Sequence, residues 1–178
     1  MNKIKRITAV IVLFTAFNLF SCSNEPIDPA INLANWGVKD ITGSYIMAGF
    51  YTSIPTDLNN DKNASVNQMD ETACFNNNIL TLNTDQTFRK TSKAVDIVTT
   101  AGVAALSCAV NPEVTGTWTL AGNTLTLSYT LAGTQTTEVF NLTGNKLVSN
   151  IKQGKIVGTS SANVPVFLTA DIDVFYTK

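Results

Sequence analysis

Histidine is absent from all 178 residues, and that absence bounds the chemistry open to this chain. Without an imidazole there is no general base titrating near neutral pH, and no Ser-His-Asp or Cys-His arrangement can be built. The three cysteines, Cys22, Cys74 and Cys108, are too few for a usual His/Cys zinc site. Neither Cys74 nor Cys108 has a C-x-x-C partner to lower its thiol pKa. Oxygen ligands are better supplied. Asp57, Asn59, Asp61 and Asn63 stand at alternate positions. That spacing is similar to the first half of a looped calcium site. The sixth position is Lys62 where such loops carry Gly, and the twelfth is Gln68 where they carry a bidentate Glu. Asp70 or Glu71 would have to complete the set. The same residues suit a plain solvated Asn/Asp loop, so Ca2+ is a candidate cofactor and no more. Asp171 and Asp173 lie two apart on one strand face. Paired carboxylates can act as acid and base, but a pair facing solvent more commonly blunts a sheet edge. With no acid, base and nucleophile clustered in the sequence, the expectation is a protein that is not an enzyme.

The elements around these residues read as strands. Gly116 to Leu131 alternates apolar and polar residues on both sides of Gly122-Asn123. Trp118 and Leu120 share one face; Leu125, Leu127, Tyr129 and Leu131 share the matching face beyond the turn. This is an antiparallel hairpin with one dry side. Ile41 to Tyr51 reads as a first long strand, Ile79–Asn83 and Thr87–Lys90 as a second hairpin, and Gln135–Leu142 and Lys146–Ile151 as further strands. Val164 to Tyr176, apolar at every second position, reads as the longest strand. Thr56 to Glu71 is a long polar loop. Ala94 to Val110 has no clean period and stays open between a strand pair around Ala101-Gly102 and something less regular. Trp118 and Tyr129 either line a ligand cavity or fill a plain core. About eight strands joined by short turns suffice for an all-β, antiparallel up-and-down barrel, which abolishes sheet edges.

The N-terminus reads as an address. Lys3, Lys5 and Arg6 precede an apolar run that ends Leu19-Phe20-Ser21-Cys22, the layout of a secretory signal and too short to be a membrane span. The ending resembles the lipobox of bacterial lipoproteins. The resemblance implies cleavage before Cys22 and acylation, palmitate included, of the Cys22 sulfur and amino group. Acyl chains there give firm anchoring. Three segments follow: a signal peptide over 1–21, a lipidated cysteine and Pro-containing tether over 22–37, and the barrel domain over 38–178. The expected location is the cell envelope, as an outer-membrane lipoprotein on the periplasmic or the surface face. Loss of the signal leaves nine Lys/Arg against thirteen Asp/Glu, a net charge of −4, so nucleic acid is a poor partner. In an exported, oxidising compartment, Cys74 and Cys108 most simply form one disulfide.

A family resemblance joins these readings. Ile41-Thr42-Gly43-Ser44-Tyr45, Leu80 to Phe88, the flanking Cys74 and Cys108, and Gly116 to Leu120 with Asn123 to Leu127 resemble the small lipocalin-like lipoproteins common in Bacteroidetes-type bacteria. Two positions depart from the family pattern: Tyr45 stands where Trp is usual, and Gln86 where the hairpin usually has Gly. The resemblance implies a lipocalin-like barrel able to hold a small apolar ligand. The alternative is a filled barrel serving as a structural or interaction protein, including an inhibitor or accessory subunit that offers loop 56–71 to a surface protein partner.

Overall fold

The computed structural model describes Gly37 and residues 41–178; the proposed signal, Cys22 and most of the tether lie outside the described residues. Eleven strands are present: β1 Gly43–Thr56, β2 Ser65–Asn67, β3 Ile79–Leu82, β4 Thr87–Thr91, β5 Lys93–Thr100, β6 Val103–Val110, β7 Val114–Ala121, β8 Thr124–Leu131, β9 Thr134–Thr143, β10 Lys146–Thr159 and β11 Pro165–Thr177. A single helical turn, α1 (Gln68–Glu71), and a 3₁₀ turn (Ala73–Phe75) lie between β2 and β3. Eight strands close into an antiparallel barrel in the order β1-β3-β4-β7-β8-β9-β10-β11, with β11 pairing back onto β1. β2 is an added edge strand on β1, and β5 and β6 form a separate two-stranded sheet. The unsettled stretch from Ala94 to Val110 is therefore a hairpin outside the barrel. The last strand is not the longest: β1 and β10 each have 14 residues against 13 in β11. Both exceed the length legible in their alternation because each contains a bulge, after which the inward parity changes.

In β1 the bulge lies between Met47 and Gly49. Tyr45 and Met47 are buried before it; Phe50 and Thr52 turn inward after it. Gly49 sits where a Cβ would come within 2.6 Å of the Tyr51 ring and 3.0 Å of the Phe175 ring. Gly116 on β7 permits an equally close approach, since a Cβ there would collide with the Ser128 carbonyl oxygen and press on Phe88. The two-residue turns Ala101-Gly102 and Ala132-Gly133 hold both residues at positive φ, the twist that matches right-handed strands in a hairpin.

The inward residues divide the barrel into two halves. Around the start of β1, the fully buried Leu82, Phe88, Trp118, Leu125, Leu127 and Leu147 pack together beneath Ile41 and Tyr45. The Trp118 indole N–H donates to the Asn83 carbonyl at 3.2 Å, so its one polar atom is satisfied at the barrel rim. The Tyr45 hydroxyl donates to the Ile41 carbonyl at 2.8 Å, and burial pushes that phenol up to about 12. Tyr45 closes this end.

Candidate functional site

The opposite half of the barrel is built differently. Its mouth is covered by α1, the 3₁₀ turn and the β5–β6 hairpin. A Cys74–Cys108 disulfide, with Cα atoms 5.1 Å apart, ties the turn to β6. The buried Asn78 reinforces this: its side-chain amide donates to the Lys93 carbonyl at 2.9 Å, and its oxygen accepts from the Lys93 amide at 2.6 Å. Phe75, on the same turn, stacks on Phe50 of β1 with ring centroids 4.4 Å apart. The sequence-predicted disulfide thus serves as the pin of a lid.

Beneath and beside this lid are two cavities that share Phe50, Phe75 and Ala94 as walls. The first, about 360 Å³, runs between the lid and β10–β11. Its lining is mostly apolar, with Val95, Ile156, Val157 and Phe167 prominent and Lys155 and Asp96 as its charged members. The second, about 300 Å³, lies in the upper barrel between Met47, Phe140, Val174 and Tyr176. Cavities of this size are in the range that holds small molecules.

The second cavity contains the charged pair that faces the barrel interior. Lys90 on β4 donates to both oxygens of Glu138 on β9, each at 2.5 Å, and the Tyr129 hydroxyl donates to Glu138 Oε1 at 2.5 Å. Their side chains are 15% and 26% exposed. Burial, and then the bond to the Glu138 carboxylate, drive the Tyr129 phenol well above its ordinary range. Burial raises Tyr176 likewise, with the Glu138 charge adding to it. Lys93, Ser92, Asn78, Asn111 and Ser149 complete the polar part of the lining.

The wall beside this cavity is incomplete. β9 pairs with β8 along its whole length, yet on its other side it meets β10 only at Asn141, Leu142 and Thr143. Toward the mouth, β9 and β10 therefore diverge. Glu138 and Phe140 stand on one lip of the gap, Ser149 and Ile151 on the other, and all four line the cavity. Ile151 is 44% exposed as a result.

The residues singled out in the sequence fall in different places. Trp118 belongs to the packed half and lines neither cavity; Tyr129 touches the second cavity through its bond to Glu138. Asp57 accepts from the Asp61 and Lys62 amides, Asn59 from the Asp61 amide, and Asp61 from the Asn63 amide, so the loop's oxygens hold its own backbone. Gln68 turns inward and bridges Thr52 and Thr56. Glu71 is buried and accepts from the Leu58 amide at 3.0 Å, and Asp70 bonds Ser65 and Asn67. Among the described residues no three His, Cys, Asp or Glu side chains come together as a metal-holding group. Asp171 and Asp173 face out and bond across to β10, through Lys152 and the Gln153 amide and through Asn150 respectively. The sequence reading missed Lys90 and Glu138. The signal was available: each occupies an inward position of its strand, between apolar inward neighbours Phe88 and Phe140 and the mouth.

No curated protein and no solved structure matches the chain with significance. A family model of the lipocalin-like domain matches residues 36–149, from before the first strand to the start of β10. The match covers more than half of the chain, and the closed eight-stranded barrel with its lidded mouth is the architecture it leads one to expect: the chain belongs to the lipocalin-like domain family.

Proposed function

We propose that this protein is a cell-envelope lipoprotein, tethered through Cys22, whose barrel carries a small, largely apolar ligand without transforming it. The observation that carries the reading is the pair of adjoining cavities beneath the pinned lid, in a barrel whose other half is packed solid. A barrel serving only as a scaffold would gain stability from filling that space, since unfilled apolar volume forfeits dispersion contacts. The tether between Cys22 and the first strand places such a carrier near a source of apolar ligands, the membrane itself.

Native mass spectrometry of the chain from Ser23 to Lys178, produced in an oxidising compartment, tests the carrier part. That segment contains the whole closed barrel with its core, lid and disulfide. A co-purifying adduct of small-molecule mass, released on unfolding, is the expected result. An adduct-free protein that also takes up no apolar probe would sink the reading and favour the filled-barrel interaction protein. The anchoring part is tested by palmitate labelling of the full-length chain, which should occur and should vanish in Cys22→Ala.

A further inference from the structure

We infer that the ligand is an anionic, single-tailed amphiphile whose oxyanion head is held by Lys90 and Lys93 at the gap between β9 and β10, with its tail in the apolar cavity under the lid. The inference rests on the carrier reading and names its ligand class. Three features of the page lead to it.

The first is the cost of the charges. Lys90 and Glu138 are inward-facing in a barrel whose other inward residues are apolar or neutral, and a well-packed apolar pair would serve stability equally well. The second is donor geometry. Two protons of the Lys90 ammonium go to the two Glu138 oxygens, which leaves one of its three for another acceptor in the cavity. Glu138 also accepts from Tyr129, so its own capacity is largely taken up within the protein. Lys93, on the same cavity wall, makes no ion pair among the described residues. Two lysines against one glutamate give this cavity a formal charge of +1, complementary to a single oxyanion. Ser92, Asn111 and Ser149 are neutral donors beside it. The third is polarity along the void. The second cavity is polar where it meets the gap, and the first is apolar from Phe50 and Phe75 to Phe167. A head at the lip and a tail under the lid matches that gradient, and the open seam between β9 and β10 gives the molecule a way in.

The test uses three probes with one tail: dodecanoate, dodecanol and dodecyltrimethylammonium, titrated calorimetrically into residues 23–178. Dodecanoate should bind roughly ten-fold more tightly than dodecanol, the margin of a charge-assisted hydrogen bond over a neutral one. Lys93→Gln should shrink that margin several-fold and leave dodecanol unchanged. The double variant Lys90→Met with Glu138→Gln keeps an acceptor for Tyr129 and strands no charge, and it should abolish the margin. Circular dichroism checks that both variants keep the barrel. Equal binding of dodecanoate and dodecanol would overturn the head-group inference while leaving the carrier reading intact. Preference for the trimethylammonium probe would overturn it in favour of Glu138 as the receptor group. A carboxylate preference that survives both variants would overturn the assignment to Lys90 and Lys93. Binding of none of the three would overturn the carrier reading and this inference together.

Discussion

The two halves of the barrel use the same strands to opposite ends. Around the start of β1, Phe88, Trp118, Leu125, Leu127 and Leu147 leave essentially no surface to solvent, and the polar atoms of Trp118 and Tyr45 find backbone carbonyls. Around the mouth, the same strands carry Lys90, Glu138 and Tyr129 inward, β9 and β10 part, and a lid takes the place of packing. The difference suggests a division of labour. The closed half supplies the free energy of folding, and the open half draws on it to keep a cavity and a desolvated ion pair that would not stabilise a fold by themselves.

The comparison breaks most visibly at Trp118. Trp118→Ala removes the largest fully buried side chain and its bond to Asn83, and should lower the free energy of unfolding by about 3–5 kcal/mol in urea melts. A loss below about 1 kcal/mol would mean that the closed half is not the fold's main support. Removing the lid's pin comes next. The disulfide spans 34 positions, and Cys74→Ser with Cys108→Ser should cost about 3–4 kcal/mol by the loop-entropy relation. The two losses should differ in location: hydrogen exchange should quicken across β5 and β6 in the cysteine variant, and throughout the barrel in Trp118→Ala.

The inward ion pair gives the third and smaller effect. Lys90→Met leaves Glu138 facing a mostly apolar cavity with only Tyr129 to hold it, and should cost about 1–3 kcal/mol. Replacing both partners, Lys90→Met with Glu138→Gln, should return stability to within about 1 kcal/mol of the parent. If the double variant remained as unstable as the single one, the pair would be a structural element, and the contrast between the halves would be weaker than drawn here.

How much of this was legible in the sequence follows the same division. The closed half alternates strictly, so Trp118, Leu125, Leu127 and the Ala132-Gly133 turn were readable from period and turn chemistry. The open half was not, because its determinants are irregular. The bulges in β1 and β10 change which parity faces inward. The β5–β6 hairpin is exposed on much of both faces, so no clean period marks it. Lys90 and Glu138 are unremarkable residues until eight strands bring them together. The two positions where a familiar loop pattern has Gly, Lys62 and Gln86, both adopt positive φ, at 73° and 65°. There the chain keeps the backbone conformation without the residue that favours it. Gln86→Gly at the closed end should therefore stabilise by up to about 1 kcal/mol, since Gln86 contributes only backbone bonds to Asn83 and Trp118. Thermal melts should show the gain, and amphiphile affinity at the far end should not change.

The smallest effect comes from a second lysine–carboxylate pair that differs from the first only in the way it faces. Lys152 donates to Asp171 at 2.8 Å across β10 and β11, a bond that holds the Asp171 carboxyl below its ordinary range and raises the Lys152 ammonium above its own. The Lys152 and Asp171 side chains are 78% and 45% exposed, so water and salt screen them and little is lost when they separate. Lys152→Ala should leave the urea midpoint where it was, because Asp171 keeps the Gln153 amide and returns to solvent without a desolvation cost. The Asp171 pKa lies below that of the unfolded chain, so whatever the carboxylate contributes is present above the usual carboxylate range. It fades as the pH falls through that range. A melt series across that acid window should separate parent from Lys152→Ala by no more than its error. A clear separation would show that strand pairing between β10 and β11 depends on surface charge. The line between the two regions would then run between inward and outward faces as much as between the two ends of the barrel.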